Sequence, residues 1–179
     1  MAKKGKHPDG LGPRNLQEGL EFVGYEYEML HRCASEADRL EPGCEQNAFI
    51  ESFLIHARGL LEFFYRDKPL SDGKQDLLAV QYVPLKVWTS ERPKQNTFSW
   101  REDVPDGVAK EIAHLSWRRL RNRGGKTTWN IPGILRDLRT VMMTFHDLLS
   151  KQSKLKTTHV QVHGDMPTFR SVNFTTTWG

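Results

Sequence analysis

The chain has 179 residues and a formal net charge of +4, and 37% of its residues are apolar. This length predicts one domain with flanking tails, and the composition excludes collagen-like, disulfide-scaffold and wholly disordered proteins. No apolar stretch approaches the ~18 residues that a membrane-spanning helix needs, and the basic start lacks the apolar part of a secretory signal. Since the chain has two cysteines, Cys33 and Cys44, it is expected to be cytoplasmic, with no membrane association.

Charge is distributed unevenly along the chain. Residues 1–14 carry a net charge of +3, and residues 15–111 carry −7. Residues 112–136 contain six basic side chains and no acidic one, and residues 137–179 carry +2. An acid-free window beside an acidic body predicts a polarised surface that attracts anionic partners.

The first predicted helix runs from about Asn15 to Asp38, after a mobile basic arm over residues 1–13. Asn15 and Glu18 have the spacing of a capping box. Apolar residues at intervals of three and four then form the stripe of a helix that is buried on one face: Leu16, Leu20, Val23, Tyr27, Leu30, Ala34 and Ala37. Four glutamates outside this stripe are expected at the solvent: Glu18, Glu21, Glu26 and Glu28.

The second predicted helix runs from about Cys44 to Arg66, after the break at Pro42-Gly43. Two adjacent apolar rows indicate a wide buried face and hence a central position. Prolines within the segment 76–101 prevent long regular structure. The start of this segment is read as a short strand or a helical turn. Its aromatic residues, Trp88, Phe98 and Trp100, predict an ordered loop that covers the core.

Two further helices are predicted, from Asp103 to about Gly124 and from about Asn130 to Lys151. The last has its apolar stripe at Ile134, Leu138, Val141, Phe145 and Leu148. The tail over 153–179 is expected to be either a short strand or an unpacked extension. The sequence therefore predicts an all-α four-helix bundle over residues 14–152, with an ordered aromatic loop between helices 2 and 3 and mobile termini.

The first candidate site is the segment 117–129, called here the basic segment. It contains Arg118, Arg119, Arg121, Arg123 and Lys126, with Trp117 and Trp129 at its ends. Arginine binds phosphates bidentately and aromatic rings stack on bases, so this pattern predicts contact with RNA, DNA or another polyanion. The alternative is charge complementarity within the fold, with these cations paired to the acidic helices or placed by a helix dipole.

Two histidines and an arginine are further candidates. His114 lies on a polar row with Lys110 and Arg118, which suits an acid–base group or a phosphate ligand, or else an ordinary surface histidine. His56 continues an apolar row of the second helix and is read as a neutral, hydrogen-bonded structural histidine. Arg58 has the spacing of a surface ion pair with Glu62. The sequence shows no metal-ligand spacing and predicts no cofactor.

Arg139 and His146 form an R-x6-H pair within the last predicted helix. This pair resembles the catalytic motif of the HEPN superfamily, small helical bundles that often act as metal-independent ribonucleases and as dimers. The resemblance implies proton transfer by His146 and stabilisation of the phosphorane charge by Arg139, at the interface of a homodimer. Thr140 stands where that superfamily commonly has Asn or Asp.

A second resemblance covers residues 45–130. It is carried by NAFIESFLIHARGLLEFFY (47–65), DLLAV (76–80), Trp88 and AHLSWRR (113–119). These segments resemble a group of uncharacterised bacterial helical proteins with an FLxHxR-like helix and an AHL-containing one. The resemblance implies a cytosolic helical domain but no activity, and its recurring polar residues match His56, Arg58, His114 and Arg118.

Together these features predict a small binding or regulatory module that contacts a polyanion through the basic segment. A HEPN-like metal-independent ribonuclease is one alternative. A protein-interaction module that engages an acidic partner is the other.

Overall fold

A computed structural model describes residues 13–69, 76–94, 98, 129–152, 162–163 and 166–167. These residues form an all-α protein with the helices α1 (Pro13–Arg39), α2 (Cys44–Tyr65), α3 (Leu85–Glu91) and α4 (Ile131–Gln152), and a 3-10 turn at Ala79–Gln81. Two strands of two residues, β1 (Val162–His163) and β2 (Met166–Pro167), pair antiparallel. Within the described ranges, no helix has the length and hydropathy to cross a membrane.

Helix α1 confirms the predicted apolar stripe, since all seven of its residues are buried. The predicted start was wrong by two residues, because α1 begins at Pro13 and Asn15 lies inside the helix. Proline is well suited to a first helical position, where its fixed φ fits and the missing N–H has no helical partner. Helix α1 therefore begins with a proline and not with the predicted cap at Asn15.

The end of α1 is held by a side chain from α2. The last carbonyl groups of a helix have no partner within it. The Gln46 side-chain amide donates to the carbonyl oxygens of Ala37 and Leu40, at 3.0 Å each. Helix α2 begins at Cys44 as predicted and ends at Tyr65, one residue before the predicted end.

The segment after α2 forms helical turns, which resolves the choice left open between a strand and a turn. Trp88 on α3 is fully buried, and its indole N–H donates to the carbonyl oxygen of Phe64 at 2.7 Å. The Arg92 guanidinium donates to the same oxygen at 3.1 Å and to Asp67 at 3.0 Å. These two side chains therefore satisfy a carbonyl group at the end of α2.

The chain divides into two compact units. The first comprises residues up to Tyr25, Phe63–Arg92 and residues from Met142 onwards. Its core is an aromatic cluster in which Phe145 meets Phe63 and Trp88 nearly edge-on, with ring centroids 5.3 and 5.6 Å apart. Edge-to-face packing of this kind is favoured by the charge distribution of the rings.

The second unit comprises Glu26–Glu62 and residues 93–141. Its described core is formed by buried side chains from α1, α2 and the first turns of α4: Leu30, Ala34, Leu54, Ala57, Leu60, Ile134 and Leu138. Phe98, from the predicted aromatic loop, is also buried. The Cys33 thiol lies 3.3 Å from the Ser52 hydroxyl, and both cysteines are free.

The structure confirms helix α4 and places Asn130 at its cap. The Gly133 N–H donates to the Asn130 side-chain oxygen at 3.1 Å, and all five stripe residues are buried. The predicted helix over 103–124, Trp100, residues 1–12 and most of the tail lie outside the described residues. The single domain over 14–152 stays a prediction.

Two glycines within helices should respond oppositely to alanine. A Cβ at Gly19 would overlap the hydroxyl of Tyr82 and lie 2.7 Å from Leu77 Cδ1, whereas a Cβ at Gly59 would meet Glu26 at an ordinary 3.6 Å. We expect Gly19→Ala to lower the free energy of unfolding by about 1–2 kcal/mol, and Gly59→Ala to raise it by about 0.5–1 kcal/mol. Urea denaturation of both variants measures this difference, and equal effects would contradict it.

Candidate functional site

Most of the basic segment lies outside the described residues. His114, Trp117, Arg118, Arg119, Arg121, Arg123 and Lys126 all belong to that part of the chain. Trp129 is described and half-buried, immediately before the Asn130 cap of α4. The structure therefore describes the C-terminal edge of the basic segment and the helix that follows it.

The first turns of α4 carry two arginines at the surface. The side chain of Arg136, the last residue of the acid-free window, is 71% exposed, and its Nε lies 3.3 Å from Asp137 Oδ1. Arg139 lies about one turn further along and is also exposed. The positive charge of the window thus continues onto the surface of α4.

Several carboxylates of the second unit pair with cations of α1 and α2. Glu36 lies 3.4 Å from Arg39, and Glu62 lies 2.8 Å from Arg58. The second pair confirms the predicted spacing of four residues on one helix. Such pairs are local, so they form independently of the basic segment.

Glu26 and His56 form a contact between helices. The Glu26 Oε2 lies 2.7 Å from His56 Nδ1, with side chains that are 37% and 14% exposed. The sequence predicted Glu26 at the solvent, and the structure shows this in part, since the side chain is partly exposed and its carboxylate also bonds to the histidine on α2. Nothing in the local pattern signals this pair, since its members are 30 residues apart.

Helix α4 places Arg139 and His146 two turns apart, and a helix brings residues at this spacing to one face. Arg139 is exposed, and the side chain of His146 is 28% exposed. His146 Nδ1 lies 3.9 Å from Asp147 Oδ1. Neither member of the predicted pair is buried, so both meet the solvent.

Two polar side chains that the sequence did not single out together, Tyr27 and His31, meet in the second unit. The rings of Tyr27 and His31 on α1 pack edge-on, with centroids 4.7 Å apart. The Tyr27 hydroxyl and His31 Nε2 are both buried and have no hydrogen-bond partner in the described structure. The positive charge of Arg139 acts on both groups.

Burial decides the protonation of this pair. Burial raises the pKa of Tyr27 above its usual value, and the positive charge of Arg139 lowers this pKa by a smaller amount. Burial also lowers the pKa of His31, and Arg139 lowers it further, because a nearby cation disfavours the charged imidazolium. At neutral pH, Tyr27 is therefore a protonated phenol and His31 a neutral imidazole.

The described residues contain no group of three or more His, Cys, Asp or Glu side chains placed to hold a metal ion. Comparisons with protein-family profiles, curated proteins and solved structures found no match to this chain. The two resemblances noted from the sequence therefore stay predictions.

The contact between Glu26 and His56 can be tested by removing the carboxylate. We expect Glu26→Ala to lower the free energy of unfolding by about 1 kcal/mol, because a half-buried histidine loses its hydrogen-bond partner. Glu28→Ala, which removes the same charge from an exposed position on α1, should change it by less than about 0.5 kcal/mol. Chemical denaturation compares the two, and equal losses would contradict a specific contact.

Proposed function

We propose that this protein binds nucleic acid through the basic segment and the exposed start of α4. The observation that carries the proposal is the acid-free window of residues 112–136, whose described end presents Arg136 at the surface, with Arg139 about one turn later. Such a cluster attracts phosphates and releases counterions when it binds them.

The pairing of the acidic helices supports this function over charge complementarity within the fold. Glu26 bonds to His56, Glu36 to Arg39 and Glu62 to Arg58. Each of these carboxylates has a partner on α1 or α2. Glu36 and Glu62 are therefore balanced by arginines without drawing cations from the basic segment.

The residue types of the basic segment suit a nucleic acid. Guanidinium groups form paired hydrogen bonds to phosphate oxygens and stack on rings. Trp117 and Trp129 supply aromatic surfaces on which bases stack without a strong sequence preference. An acidic protein would satisfy the charge but would make no use of the stacking surfaces.

We further propose that the helices form a four-helix bundle that includes the predicted helix over 103–124, with the aromatic segment after α2 ordered against it. A cytoplasmic location belongs to the same proposal. The free state of Cys33 and Cys44 supports it.

Charge reversal within the basic segment tests the function. We expect Arg119→Glu/Arg121→Glu to weaken binding of a fluorescent single-stranded RNA by at least about tenfold, and to reduce the slope of log affinity against log salt by about two. Fluorescence anisotropy over a potassium chloride series measures both quantities.

The matched control is Arg39→Glu/Lys86→Glu, which changes the net charge equally at exposed positions of α1 and α3. This control lowers the net charge, which weakens long-range attraction, but it leaves the direct contacts of the basic segment in place. It should therefore weaken binding only slightly. Equal losses in the two double variants would overturn the assignment to the basic segment. Binding of an acidic protein with no binding of RNA or heparin would overturn nucleic acid as the partner.

A metal-independent ribonuclease is a second candidate, favoured by the exposure of both Arg139 and His146 on α4. The imidazole would move a proton at the 2′-hydroxyl or the leaving oxygen, and the guanidinium would stabilise the charge that develops on phosphorus. The two roles need no metal ion.

The ribonuclease candidate predicts cleavage of RNA in the presence of EDTA. His146→Ala should reduce its rate by at least about 100-fold, because a positioned proton donor or acceptor contributes about this much. Met143→Ala, at an exposed position on the same helix, should leave the rate unchanged. Gel analysis of a labelled RNA measures the rate, and equal cleavage by the two folded variants would exclude His146 from catalysis.

A further inference from the structure

Helix α1 exposes two aromatic side chains on the face opposite its buried stripe. Phe22 is 68% exposed and Tyr25 is 53% exposed. The two are three residues apart, so they are neighbours on the helix surface. The other exposed large apolar side chains of the described residues lie on three different helices: Ile55, Leu85 and Met143. Single exposed apolar side chains are ordinary, and a pair of adjacent aromatic rings is the feature that needs an explanation.

Two carboxylates border these rings. Glu18 and Glu21 are exposed, and they precede Phe22 and Tyr25 by four residues each, which is a spacing at which side chains meet on a helix. Residues 15–31 contain four glutamates and no lysine or arginine. The four exposed residues are called here the acidic aromatic face. Its components suit a cationic partner that also contacts rings.

The first compact unit shows how such a combination holds an arginine. The Arg92 guanidinium lies 5.2 Å from the centre of the Tyr65 ring and 3.0 Å from Asp67 Oδ1. The face of the ring attracts the cation, and the carboxylate forms an ion pair with it. The acidic aromatic face has the same two components, an aromatic ring beside a carboxylate, at the surface.

The start of α4 presents arginines that fit this face. The side chain of Arg136 is 71% exposed, with its Nε 3.3 Å from Asp137 Oδ1. Arg139 is exposed and makes no hydrogen bond or ion pair with any described residue. The two arginines are three residues apart, as Phe22 and Tyr25 are. Each guanidinium can therefore meet one ring when the two helices lie side by side.

We propose that the acidic aromatic face of one copy of this chain binds Arg136 and Arg139 on α4 of a second copy. Each guanidinium stacks on a ring and pairs with a glutamate. Contact between two acidic aromatic faces is disfavoured, because it places glutamates against glutamates. Since the two surfaces differ, the association is head-to-tail, and a third copy can add to the second in the same way.

This inference goes beyond the proposed function, in which α1 takes no part. Nucleic acid and the acidic aromatic face would compete for the start of α4, because both bring negative charge to the same arginines. Copies held together by bound RNA would also imitate a direct association. RNA is therefore removed by ribonuclease treatment and repurification before each measurement.

Sedimentation velocity of the full chain tests the association. The weight-average sedimentation coefficient should rise with protein concentration and fall with added potassium chloride, because salt screens exposed ion pairs. Glu18→Lys/Glu21→Lys should weaken the association by at least about tenfold, because it places cations against the arginines. The matched control, Glu41→Lys/Glu91→Lys, changes the net charge equally at exposed positions outside the face and should change the association by less than about twofold.

Mixing two variants tests which surfaces meet. Arg136→Glu/Arg139→Glu should also weaken its own association by at least about tenfold. An equal mixture with Glu18→Lys/Glu21→Lys should associate again, because one variant keeps the α1 surface intact and the other keeps the α4 surface. If both variants are folded by circular dichroism and their mixture stays monomeric, the pairing of these two surfaces is wrong.

Phe22→Ala tests the aromatic ring without a change in charge. It should weaken the association by about two- to fivefold, which is the effect of one cation–π contact at an exposed site. Leu85→Ala, at a position on α3 that is 47% exposed, should leave the association unchanged. Equal effects of the two substitutions would contradict a role for the ring.

A sedimentation coefficient that is constant over concentration would overturn the proposal altogether. Equal weakening by the two glutamate double variants would replace it with general charge attraction. The proposed function is tested independently by RNA binding. If no variant binds RNA and the association follows the expected pattern, the inference stands and the proposed function fails.

Discussion

The burial of one face of α1 is the constraint on which the rest of the structure depends. Leu20 and Leu30 are almost completely buried, and the stripe that they belong to places Tyr27 in the interior as well. Tyrosine contributes a large apolar ring to a core but brings a hydroxyl with it. The same helix turn brings His31 beside this ring. The packing that stabilises the helix thus also creates a buried polar position.

Helix ends show how the chain satisfies its backbone. The end of α1 is capped by Gln46 in the second unit, and the end of α2 is capped by Trp88 and Arg92 in the first. In each case a carbonyl group that lacks a helical partner accepts a hydrogen bond from a side chain that follows in the chain. Trp88 does this from a fully buried position, so its indole N–H is satisfied by the same bond that caps the helix. One hydrogen bond therefore satisfies both a buried indole N–H and a carbonyl oxygen at a helix end.

The placement of charge connects this framework to function. Glu36 and Glu62 have cationic partners on their own helices, whereas Arg139 has no counterion among the described residues. A guanidinium without a partner in the described part of the chain can bind an external anion with two hydrogen bonds. This asymmetry supports the proposed nucleic-acid binding.

The sequence by itself determined α1, α2 and α4, their ends to within about two residues, and the faces that they bury. It did not predict α3, which lies in the segment read as an aromatic loop. It also determined the pair between Arg58 and Glu62. These features depend on residues three or four positions apart, and helical periodicity encodes such spacings directly. The start of α1 was missed because Pro13 precedes the capping signal at Asn15.

Tertiary structure alone decided which side chains meet across helices. Glu26 contacts His56, and the indole of Trp88 finds the carbonyl of Phe64, over separations of 30 and 24 residues. The physical reason is that an apolar stripe specifies which face of a helix is buried but not which partner it meets, nor which polar groups are buried with it.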